Sequence, residues 1–125
     1  MILEPGPMKV VRGAFSTKAE VLDDLKSLGF WPTTYVSERM QELPLHWHDF
    51  DDVGYLLEGR TYVLNEKSER VELGPGDKLI LPRGAIHAEG EVLERTVWIV
   101  GISMAANLPE AFGTLNDPST SPARA

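Results

Sequence analysis

Hydrophobic positions change period once along this chain. From Thr17 to Gly29 the sequence reads TKAEVLDDLKSLG, and Val21, Leu22, Leu25 and Leu28 recur at helical spacing. Thr17 with Glu20 three residues later forms a capping-box pattern, and Gly29 is a natural C-terminal stop. The pattern predicts a short amphipathic helix over 17–28 lying on an apolar surface. From Phe30 onward the helical period is lost. Short runs rich in β-branched and aromatic residues follow: TTYVSERM, LHWH, VGYLLEG, TYVLN, RVEL, KLILP, IHAEG and RTVWIVGISM. Asn65, Gly74-Pro75-Gly76 and Pro82-Arg83-Gly84 separate several of them. Roughly eight closely spaced strands with no helical pattern between them predict an all-β sandwich, jelly roll or barrel.

This pattern organises the chain into an N-terminal arm over 1–15 and a single domain over 16–112. The barrel runs from about residue 33 to 104. Residues 113–125 are rich in Ser, Thr, Pro and Ala without periodicity, and a frayed tail is expected there. No internal repeat is present.

Composition narrows the possible functions. At 125 residues one domain is expected, large enough to bury a core without staples. There is no cysteine, so disulfides, thiolate metal sites and cysteine nucleophiles are excluded. The net charge is -7, from 19 acidic and 12 basic residues, with the basic residues spread singly. Such a surface repels phosphate backbones and anionic lipid, so neither nucleic acid nor membrane is an expected partner. No apolar run approaches the roughly 20 residues that span a bilayer. The start, MILEPGPMKVVRG, lacks the charged-then-apolar pattern of a signal peptide, and the expected location is cytoplasmic.

The chain has three histidines, and their placement is its most informative feature. His46 and His48 sit one residue apart in LPLHWHDFDDVGYLLEG. On a strand they share a face, with Trp47 opposite, so both imidazoles can chelate one ion. His87 sits in a distant stretch, GDKLILPRGAIH, and can supply a third nitrogen. Asp49, Asp51 and Asp52 each offer an oxygen. Parity favours Asp52: facing inward, it brings Gly54 and Leu56 with it, and Gly54 leaves space beside the metal. An inward Asp51 would fill that space with Tyr55. Glu89 shares parity with His87 and is the candidate acid–base residue; the plainer reading leaves it solvated in the run EGEVLER. Tyr55 and Tyr62 read as packing aromatics, and Trp98 as lining either the pocket or a subunit face. Arg39, Arg60 and Arg83 are the cations available to orient an anionic substrate.

Two stretches resemble the signatures of the cupin superfamily. Gly76, Pro82, Gly84 and His87 match the second, G-x5-P-x-G-x2-H, and His46, His48 and Gly59 match the first, G-x5-H-x-H-x3-E-x6-G. The resemblance covers about Thr33 to Met104. It implies a small antiparallel jelly-roll barrel with one divalent metal inside, held by His46, His48, Asp52 and His87. The sequence departs from the pattern in three places. Met40 replaces the opening Gly, Asp52 replaces Glu and is one methylene shorter, and Glu91 replaces a frequent Asn. Imidazole with carboxylate suits Fe, Mn, Ni, Cu or Zn. The implied function is a metal-dependent enzyme acting on a small organic molecule, of dioxygenase, isomerase or lyase type. The alternative is a non-catalytic cupin that binds or senses a small ligand. The β-rich edge runs and the doubly apolar RTVWIVGISM strand, which needs cover on its second face, lead to an expected homodimer.

Overall fold

The computed structural model of the chain describes residues 3–103 and 114–124. Residues 104–113, which include the expected end of the barrel and the start of the tail, lie outside the described residues. The strands are β1 (Lys9–Val11), β2 (Trp31–Ser37), β3 (Asp52–Glu58), β4 (Thr61–Leu64), β5 (Arg70–Leu73), β6 (Lys78–Leu81), β7 (Ala88–Glu89) and β8 (Thr96–Ile102). One helix, α1 (Lys18–Leu28), precedes β2. Every ladder is antiparallel. β1-β6-β3-β8-β2 form a five-stranded sheet and β5-β4-β7 a three-stranded one. The architecture is the expected all-β antiparallel barrel with one short N-terminal helix.

The helix forms where its caps dictate. The Thr17 hydroxyl accepts from the Glu20 amide at 3.2 Å and donates to the Glu20 carboxylate at 3.1 Å. Gly29 adopts the left-handed conformation, and Phe30 N–H closes onto the Leu25 carbonyl. Val21 and Leu25 are buried against Val53, Tyr55 and Ile99 on the outer face of the five-stranded sheet. The buried stripe is narrower than the sequence suggested, since Leu22 is 46% exposed. A polar tie supports the packing: Lys78 Nζ lies 2.5 Å from Asp24 Oδ2, and the buried Tyr55 hydroxyl donates to the same oxygen.

The inner faces of the two sheets meet in a second cluster of Leu56, Val63, Leu73, Leu79, Leu81 and Ala85. Burying each such leucine stabilises the fold by roughly 2 kcal/mol. Side-chain alternation along β8 serves both faces. Ile99 points to the helix, while Thr96, Trp98 and Val100 point into the barrel. This explains why that strand is apolar throughout.

Residues 114–124 do not follow the expectation of a frayed tail. Asn116 bridges to Trp47, and two short 3-10 turns follow at Pro118–Thr120 and Pro122–Arg124. The Ser121 hydroxyl donates to the Gly84 carbonyl at 2.5 Å. The segment thus spans both loops that carry histidines.

Candidate metal centre

The HxH segment and β7 lie side by side at the free edge of the three-stranded sheet. His46 N–H donates to the His87 carbonyl at 2.9 Å, and His87 N–H returns the bond at 3.0 Å. This two-way pair brings together residues 41 positions apart in sequence. Parity then acts as expected. Trp47 points away from its histidine neighbours, and its indole N–H donates to the Asp117 carbonyl and the Thr120 hydroxyl. His87 is aimed inward by the turn before it, where Ala85 N–H closes onto the Pro82 carbonyl at 2.9 Å. Gly84 in that turn has φ +86°, and a Cβ there would sit 2.9 Å from Pro122 Cγ.

The three imidazoles converge, with ring centroids 4.9 Å apart for His46 and His48, 4.5 Å for His46 and His87, and 5.4 Å for His48 and His87. One ligand atom from each, together with a carboxylate oxygen of Glu89, lie within 4.8 Å of one another. Two of the rings are oriented from behind. His46 Nδ1 faces the Pro44 carbonyl at 2.7 Å and His87 Nδ1 faces the Ala85 carbonyl at 2.9 Å. A carbonyl only accepts, so the proton sits on Nδ1 and the Nε2 lone pair of each ring points inward. Those two Nε2 atoms and Glu89 Oε2 are buried without a regular hydrogen bond. Two inward lone pairs converging with a carboxylate form an arrangement that a cation satisfies. The donor set fits a divalent transition metal.

Electrostatics are uneven across the cluster. Burial disfavours charge on His46, but neighbouring Glu89 outweighs it and raises the His46 pKa above 6.5. His48 is pushed down to about 4 by burial first, then by the proximity of His87 and His46. Burial also disfavours the Glu89 carboxylate, yet its contacts with His46 and His87 hold its pKa well below the ordinary value.

Glu89 therefore stands where the sequence reading placed Asp52. The structure removes Glu89 from the solvated run and brings it into the cluster. Asp52 lines the same cavity, but from the start of β3 in the opposite sheet, and it is not among the converging groups. Its short side chain stays at that wall, whereas Glu89, two residues beyond His87 and one methylene longer, reaches both Nε2 atoms. Burial first, then the charges of Glu89 and Asp51, raise the Asp52 pKa well above 3.8. The other two carboxylates are tied elsewhere. Asp51 accepts from the Arg83 amide at 2.7 Å and the Leu3 amide at 3.0 Å, and Asp49 pairs with the Arg83 guanidinium at the surface.

The cluster opens onto a cavity of about 490 Å³ between the sheets. Gly54 lies in its wall, but not as vacant space. The Trp98 indole lies across it, so that a Cβ at Gly54 would stand 3.0 Å from two ring carbons. Trp98 thus lines the pocket, which decides between the two orientations open to it from sequence. Among the described residues none of Arg39, Arg60 and Arg83 lines this cavity.

Fold and site define a class: a small antiparallel β-barrel with a histidine-carboxylate centre inside. Residues 37–93 match the family model described as cupin domain, and the chain carries a small cupin-superfamily domain. Solved structures agree at the level of fold. A DUF861-family protein from Thermotoga maritima is 20% identical with a TM-score of 0.53, the match covering 74% of this chain and 96% of that one. A putative mannose-6-phosphate isomerase from Ralstonia eutropha is 20% identical with a TM-score of 0.54, covering 62% and 77%. A ribosomal oxygenase from Escherichia coli is 21% identical with a TM-score of 0.54, covering 76% of this chain and 29% of that one. No curated protein sequence matches significantly. No helix among the described residues is long and apolar enough to cross a membrane.

Proposed function

We propose that this chain is a metal-dependent cupin enzyme acting on a small organic molecule, with one divalent transition metal held by His46, His48, His87 and Glu89. The observation that carries the reading is the convergence of four ligand atoms within 4.8 Å at the wall of a cavity large enough for a substrate. A metal bound there would supply Lewis acidity or a site for dioxygen, the chemistry of isomerases, lyases and oxygenases. The chain's own contribution is positional and protic. Pro44 and Ala85 fix two ring tautomers, Glu89 brings the negative charge, and Asp52 presents a buried carboxyl that resists ionisation and can hold a proton beside the substrate.

The alternative is a non-catalytic binding domain. Its support is the opposite wall, largely apolar and bearing only Asp52 as a carboxyl outside the cluster among the described residues. Elemental analysis of untagged protein, followed by turnover assays on small carbonyl and catechol compounds with oxygen consumption monitored, separates the readings. Stoichiometric metal with turnover supports the enzyme. Stoichiometric metal and saturable binding without turnover supports the binding domain. Absence of bound metal after loading refutes the metal centre.

A further inference from the structure

The cavity has two chemically different ends. One corner holds the histidines and Glu89. The remainder is floored by Trp98, Gly54, Leu79, Leu81 and Val100 and also holds the buried Asp52 carboxyl, and no lysine or arginine lines it among the described residues. Three of the arginines are engaged elsewhere. The Arg83 guanidinium pairs with Asp49, Arg70 stacks on the outer side of Tyr62 at 3.7 Å, and the Arg60 guanidinium packs by Gly74. A charged substituent buried against this floor would lose its hydration and gain no counter-ion.

The floor is flat for a structural reason. Gly54 opposes Val100 in the β3–β8 ladder, and Trp98 lies two residues along, opposite Leu56. The missing side chain at Gly54 lets the indole lie down along the sheet. A Cβ there would stand 3.0 Å from two ring carbons and press the indole out of its present position.

Resting on the metal-centre reading above, we infer that the cavity takes a small, uncharged, flat molecule that lies against the Trp98 indole and turns one neutral oxygen, hydroxyl or carbonyl, toward the histidine-Glu89 corner. An anionic group finds a counter-charge only when it is turned to the loaded corner and none on the floor, where no lysine or arginine lies among the described residues. A cationic group meets a corner where a divalent ion and one carboxylate would leave net positive charge.

The test compares three probes of similar size: benzyl alcohol, phenyl phosphate and benzyltrimethylammonium. Binding to zinc-loaded protein is followed by calorimetry and by quenching of tryptophan fluorescence, with Trp98→Phe as the reference in which only Trp31 and Trp47 emit. The expected result is that benzyl alcohol binds at least about tenfold more tightly than the cation on loaded protein, and at least about tenfold more tightly than phenyl phosphate on metal-free protein, where no divalent ion offsets the Glu89 carboxylate. Gly54→Ala should weaken benzyl alcohol severalfold with zinc content unchanged. Equal or tighter binding of the cation to loaded protein, or of phenyl phosphate to metal-free protein, overturns the inference, as does absence of benzyl alcohol binding at millimolar concentration. If Gly54→Ala does not fold, the three-probe ranking on the native chain still decides. If the protein takes up no zinc, the metal centre fails by itself. The ranking of benzyl alcohol against phenyl phosphate on metal-free protein then tests the cavity alone.

Discussion

Glu89 touches two histidines at once: its Oε2 stands 3.2 Å from His46 Nε2 and its Oε1 stands 3.4 Å from His87 Nε2. One carboxylate thus brackets two of the three inward-facing rings, while Asp52 belongs to the other wall. Glu89→Gln is expected to lower metal affinity by at least about tenfold. Asp52→Asn should leave affinity within a few-fold and act on turnover. Metal titration of the two variants decides, and the opposite ranking would restore Asp52 as the fourth ligand.

Proton competition supplies a second prediction. His46 keeps its proton to a pH above 6.5 because of Glu89, whereas His48 stays neutral down to about 4. A protonated imidazole cannot ligate, so metal affinity should fall as pH is lowered through the raised His46 value. His48 should add to the loss only in stronger acid. Competition with a chelator across this range measures the effect. An affinity that does not change between about pH 7 and pH 5 would exclude a histidine centre.

On the far side of the sheet, the Asp24 cluster predicts a pH-dependent stability. Burial alone would raise the Asp24 pKa, but its bonds from Lys78 and Tyr55 lower it below 3.8. A depressed carboxylate contributes stability that is fully present above its unfolded value. That contribution is lost as pH falls through the folded value. The difference in unfolding free energy between native chain and Asp24→Asn should therefore be constant near neutrality and shrink below about pH 4. Tyr55→Phe should cost about 1 kcal/mol by denaturant unfolding at neutral pH. A pH-independent difference would mean that the cluster does not hold α1 to the sheet.

For assembly, we propose a homodimer formed through β2. This strand is at the edge of the five-stranded sheet, and it leaves Trp31 58% exposed with Tyr35 and Val36 nearly as open. Such an edge invites pairing. Sedimentation at micromolar concentration should give twice 13.9 kDa, and Trp31→Asp should shift the species toward monomer. A clean monomer for the native chain would refute the dimer.

What could be read from sequence was whatever depends on local period and on turns. The helix over 17–28, the shared face of His46 and His48, and the turn that aims His87 all follow from neighbours a few residues away. Parity also showed that Asp52 and Glu89 can both face inward, but it carries no distance across the barrel. Which of them reaches the histidines depends on how the two sheets close, and that is a long-range property. Gly54 misled for a related reason: its empty side-chain position is taken by Trp98, from a strand more than forty residues away. The C-terminal segment left no periodic trace, because it is held by single hydrogen bonds from Asn116, Ser121 and Trp47 and not by an apolar stripe.

The two-way backbone pair between His46 and His87 has a kinetic consequence. All four ligand groups hang from two short strand fragments, and that pair is the middle rung, flanked by bonds from Leu43 N–H to the Glu89 carbonyl and from Gly84 N–H to the His48 carbonyl. A bound ion would stitch the rung from the side-chain direction, and the rung in turn would have to open before two of the ligands could swing apart. Residence time of the ion is then set by local breathing of the backbone as much as by bond strength at the centre. Amide exchange at His46 and His87 should slow together on loading, and the slowest step of metal release should match the rate at which those two amides open.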